Sequence, residues 1–94
     1  MPDERLRELH EHLAATAELP LDRGATRWVA EAEAVAGDCL DVTDPSVRRR
    51  RVGHVSDLLA EVDGTGHPDG DRHVEAARAL AAEILDGVGS EEDS

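Results

Sequence analysis

Apolar residues along the chain return at steps of three and four, and no segment alternates with period two. From Asp3 to Glu18, the residues Leu6, Leu9, Leu13, Thr16 and Ala17 fall on one side of a helix turning roughly 100° per residue. Leu19-Pro20 ends this segment, because the residue before proline avoids the helical region. A second helix is expected from Arg23 to Leu40, with Asp22 placed to accept from the free N–H groups at its start. Its residues Ala25, Trp28, Val29, Ala32, Val35, Ala36, Cys39 and Leu40 fall within an arc of ~140°, and Gly37 weakens its last turn. A third opens on Thr43-Asp44-Pro45, a capping residue followed by proline at the first helical position. Val52, Val55, Leu58, Leu59 and Val62 form its stripe, and Gly64 suits a left-handed stop. The punctuation of Gly64 to Gly70 (GTGHPDG) reads as a loop. The fourth helix is then expected from Asp71 to Asp86, burying Val74, Ala77, Leu80, Ala81, Ile84 and Leu85, with Gly87 closing it.

Four helices with short connections, each apolar on one face, bury those faces best as an all-α, antiparallel up-down four-helix bundle. A three-helix core with a loosely docked first helix is the alternative. The expected domain covers residues 1–87, and 88–94 form a disordered acidic tail.

Composition narrows the core. Trp28 is the only aromatic among 94 residues, with no Phe and no Tyr, so the interior must be built from Leu, Val and Ala, which bury less area each. Asp and Glu number 22 against 10 basic residues, a net charge of −12, and every basic residue is Arg. Repulsion among so many carboxylates opposes compaction, and salt screens it. This balance is expected of a protein from a salt-loaded cytoplasm, where acidity says nothing about a basic partner. Cys39 is the only cysteine, which excludes an intramolecular disulfide and suits a reducing compartment. The start MPDERLRELHEHL has no apolar signal segment, and no apolar run approaches the roughly 20 residues of a membrane span. A soluble, cytoplasmic protein without membrane contact is expected.

Arg48-Arg49-Arg50-Arg51 needs explanation, since the helix dipole disfavours cations in a first turn. On the helical wheel Arg49 and Arg50 point to solvent, Arg48 lies on the apolar side and Arg51 at its edge. One reading is an internal ion-pair cluster with acidic helix ends; Glu91, Glu92 and Asp93 of the tail would hang near it. The other is an anion site at Arg48 and Arg51, two guanidinium forks near a helix N-terminus. Nucleic acid is not an expected partner: the other Arg are scattered, there is no stacking platform, and net charge repels phosphate.

The histidines show no metal-ligand spacing. His10 and His12 point in different directions; His12 shares a face with Glu8, and His54 with Asp57, as pairs rather than ligand sets. His67 and His73 flank a loop with Asp69 and Asp71, which lacks the further ligands of a calcium loop. Glu8-x-x-Glu11 and Glu83-x-x-Asp86 are spaced like magnesium-binding pairs of helical nucleotide pyrophosphohydrolases, but stand at opposite ends of the chain with no Lys or Asn beside them. Cys39 lies in the apolar arc, where burial raises a thiol's pKa. Neither metal, cofactor nor catalytic residues are expected, and the protein is not read as an enzyme. Trp28 is a core anchor or, on a bundle face, a partner-binding residue.

The runs LHEHLAATAELPLDRGATRWVAEAEAVAGD, VRRRRVGHVSDLLAEVDGTG and HVEAARALAAEIL resemble small uncharacterised proteins of haloarchaea over roughly residues 5 to 86. The resemblance implies an acidic helical fold and carries no activity and no site residues. The leading expectation is therefore a non-catalytic helical interaction module, binding another protein or itself and adapted to high salt. The alternative is a protein responsive to a small anion or nucleotide through the Arg48–Arg51 cluster.

Overall fold

The computed structural model describes residues 2–93, with side chains for residues 4–86. It contains four helices: α1 (Pro2–Thr16), α2 (Arg23–Cys39), α3 (Pro45–Ala60) and α4 (Pro68–Asp93), and no strand among the described residues. Each helix packs on two others, α1 on α2 and α4, and α3 on α2 and α4. That closed ring is the four-helix bundle. The looser three-helix alternative does not hold, because Leu6, Leu9 and Leu13 of α1 are fully buried in the shared core.

The core is aliphatic, as the composition requires. Val29, Ala32, Ala36 and Cys39 of α2, Val52, Val55 and Leu59 of α3 and Val74, Ala77 and Ala81 of α4 belong, with the α1 leucines, to one buried cluster. Small residues on α2 and α4 let helices approach closely, so a core without rings still closes. Leu80, Ile84 and Leu85, expected inside, are only half-buried, and Leu40 is 37% exposed.

The helix ends depart from expectation in instructive ways. Asp44 caps α3 as expected: its carboxylate accepts from the Ser46 amide at 2.8 Å and the Val47 amide at 3.4 Å, with Pro45 starting the helix. Asp22 precedes α2 but makes no side-chain capping bond. Its carboxylate lies over Gly66 instead, 2.6 Å from where a Cβ there would be. Gly66, not Gly64, is the glycine with positive φ, at 78°. α4 starts at Pro68, three residues before the expected Asp71, by the same proline rule that opens α3. It also continues through Gly87 and Gly89 to Asp93; each glycine inside a helix costs only about 1 kcal/mol. The tail carboxylates Glu91, Glu92 and Asp93 lie outside the described side chains, and so does their expected approach to the arginine run.

Candidate functional site

Two ends of the bundle carry the polar chemistry. At the α2–α3 end, Arg48 is half-buried and folds back on the connecting turn, its Nη2 donating to the Val42 carbonyl at 2.7 Å. Arg51 is exposed. Both lie close enough to Cys39 for their charges to favour its thiolate, but burial is the larger effect and pushes the thiol up. The thiol faces the Arg48 carbonyl at 4.0 Å. Cys39 is thus buried in the core, as its place in the apolar arc implied.

The depression at this end, of about 460 Å³, is lined by Pro45, Ser46, Arg49, Arg50 and Leu85. The first amides of α3, which an anion would use, are already held by Asp44.

At the opposite end the α1–α2 and α3–α4 connections are tied together. The Asp22 amide donates to the Thr65 carbonyl at 2.7 Å. Thr65 is buried, and its amide and hydroxyl both donate to the Asp71 carboxylate, at 2.8 and 2.9 Å. These two bonds hold the Asp71 carboxyl below its ordinary range. The Thr65 hydroxyl also lies 2.9 Å from the His67 carbonyl, and the Asp69 amide donates to His67 Nδ1 at 3.1 Å. Next to this turn Arg78 of α4 reaches across to the end of α3. Its Nε and Nη2 donate to the Leu59 carbonyl at 3.2 and 2.7 Å, and Nη2 also donates to the Val62 carbonyl. A cation on the last carbonyls of a helix satisfies groups with no partner of their own and complements the dipole.

The histidines end up where spacing alone did not place them. His12 of α1 and His73 of α4 meet, with Nδ1 to Nδ1 at 2.9 Å. The sequence signal was present but weak: His12 lies near the end of α1 and His73 near the start of α4, and antiparallel neighbours bring those ends together. His10 points elsewhere, its Nε2 3.2 Å from where a Cβ on Gly37 would stand. Among the described residues no group of three or more His, Cys, Asp or Glu is arranged to hold a metal ion.

Trp28 is half-buried at the edge of the core, with the Arg27 guanidinium 5.8 Å from the centre of its ring. It is neither the interior anchor nor a fully presented surface residue. Val35, two turns on along the same flank of α2, is half-buried as well.

Fold and site together define a small antiparallel helical bundle whose distinctive polar side chains are spent on joining one helix to the next. The chain belongs to the protein family described as a domain of unknown function, DUF8152, which matches residues 5–91. No curated protein and no solved structure matches it. No helix among the described residues is long and apolar enough to cross a membrane.

Proposed function

We propose that this domain is a non-catalytic protein-binding module, adapted to high salt, that meets its partner through the flank of α2 carrying Trp28 and Val35. The observation that supports this reading is the place of Trp28. A core starved of large side chains would gain most by burying its one ring, yet that ring stays half-exposed beside Arg27. Trp and Arg are the side chains most enriched among residues that dominate binding energy. The partner is another protein or a second copy of the chain, and the lone buried thiol suits a reducing compartment.

The test compares Trp28→Ala with Leu13→Ala. A protein that co-purifies with the domain from its own cells is identified, purified and titrated against both forms; light scattering in molar salt tests self-association in parallel. Trp28→Ala should keep the helix content while weakening the complex about thirtyfold or more, which corresponds to ~2 kcal/mol. Leu13→Ala, which empties the interior, should cost stability of about 2–5 kcal/mol. Equal affinity of wild type and Trp28→Ala, or melting of Trp28→Ala as severe as that of Leu13→Ala, would overturn the reading.

The anion-responsive alternative has in its favour the depression beside Arg49 and Arg50. Against it stand Arg48, engaged with Val42, and the capped amides of α3. Heat on titrating pyrophosphate into the wild type, abolished in Arg48→Ala with Arg51→Ala, would restore it.

A further inference from the structure

The His12–His73 contact joins two helices far apart in sequence, 61 residues along the chain, and both rings are half-buried. Their centres are 5.2 Å apart and their planes are tilted by 48°. With the nitrogens 2.9 Å apart, that centre-to-centre distance is reached only when both Nδ1 atoms lie on the line between the rings. Each nitrogen is therefore aimed straight at the other. Two lone pairs that hold a metal ion together must instead converge on a third point, and no third ligand completes such a set among the described residues. What fits between two nitrogens at this distance is a proton.

We propose that His12 and His73 share one proton and form a pH-sensitive latch between α1 and α4, closed while one of the two facing Nδ1 atoms keeps its lone pair and opened when both carry hydrogen. In the neutral pair one ring carries its hydrogen on Nδ1 and donates it; the other carries its hydrogen on Nε2 and accepts at Nδ1. The first added proton goes to the free Nε2 of the donor ring. That leaves the bridge intact and strengthens it, because the donor is now charged. The next proton has only one lone pair left to take, the Nδ1 already used in the bridge. Two N–H groups and two positive charges then face each other across 2.9 Å, and the contact between α1 and α4 must separate to relieve them.

The charged groups around the pair do not remove that conflict. On α1, Glu8 lies one turn before His12, and Arg5 pairs with Glu83 of α4 at 3.7 Å further along the same seam. On α4, Asp69 lies one turn before His73 and is 3.5 Å from Arg72. From the overlying turn comes His67, whose Nδ1 takes the Asp69 amide. The buried residues of α2 and α3 that face the core are Val, Ala and Leu, apart from Cys39 at the opposite end of the bundle. Neither Glu8 nor Asp69 lies between the two nitrogens, which are only 2.9 Å apart.

The sign of the linkage follows. Below the ordinary histidine range the unfolded chain carries both protons freely, whereas the closed latch refuses one. Seam stability is therefore greatest where the bridge carries its first added proton and falls as pH drops through the second step, by up to about tenfold in the closed-to-open ratio per pH unit. The experiment is an NMR titration of the imidazole nitrogens from about pH 8 to about pH 5 at fixed molar salt. Amide hydrogen exchange along α1 is followed in the same samples. The two rings should titrate in two separate, coupled steps, and α1 should lose protection with the second, ahead of α2 and α3. In His12→Asn and His73→Asn the remaining ring should titrate once, and α1 protection should stay level over that range, since the amide faces a charged imidazole without clash. Independent titration of the two rings in the wild type, or the same loss of α1 protection in the variants, would overturn the proposal; the wild-type titration decides it even where a variant does not fold.

Discussion

Thr65 is 0% exposed although polar, and its hydroxyl and amide are both spent on Asp71. Replacing it by valine keeps the volume and removes the hydroxyl, leaving the Asp71 carboxylate with the amide alone. Thr65→Val should cost about 1–3 kcal/mol in urea unfolding near neutral pH. Asp71 adds a pH dependence whose sign is fixed. Its carboxyl is held below its ordinary value of 3.8 by Thr65. The stabilisation is therefore complete above pH 3.8 and is lost as pH falls through the lower value of the folded state. Asp71→Asn should flatten that acid limb and leave the histidine range untouched, which urea midpoints at neutral pH and near pH 3 would show. Little of this was legible beforehand. The turn residues of GTGHPDG announced a loop, but which glycine turns left depends on Asp22, which arrives from another connection.

Helices show the same division between what is local and what is not. Every segment with a three- and four-residue apolar rhythm is a helix, because that rhythm and the helix share one period. Thr43-Asp44-Pro45 announced the start of α3 to the residue, while the equally informative Pro68 was hidden inside a glycine-rich turn. Glycine has opposite meanings in the two places. A Cβ on Gly53, inside α3, would meet nothing within 4 Å, whereas one on Gly70, in the first turn of α4, would come 2.6 Å from both Leu21 Cδ2 and Thr65 Oγ1. Gly53→Ala should therefore raise stability by about 0.5–1 kcal/mol through helix propensity alone. Gly70→Ala should lower the melting temperature by forcing α4 off the turn that anchors it. Arg78, half-buried and fastened to the end of α3, had no sequence signal, since only the packing of α3 on α4 supplies its partners.

The molecule as a whole is a neutral aliphatic interior inside a net charge of −12. Such an interior gives modest stability, and mutual repulsion of surface carboxylates works against it in dilute buffer. Helicity by circular dichroism should thus be low in dilute buffer and rise in molar potassium chloride as the repulsion is screened. Equal helicity in both would mean that the core suffices without salt. Composition made the character of the interior legible, whereas pairings between distant helices such as His12 with His73 required the assembled bundle. Trp28 has one more consequence. With no Tyr or Phe in the chain, near-ultraviolet absorption and intrinsic fluorescence come from a single indole on the flank of α2. Its emission carries no background from other rings. Because the ring is half in contact with water, a blue shift reports an object seated on that flank and a red shift reports its release from the core edge. The protein therefore carries its own site-specific optical probe, at the position where its partner is proposed to bind.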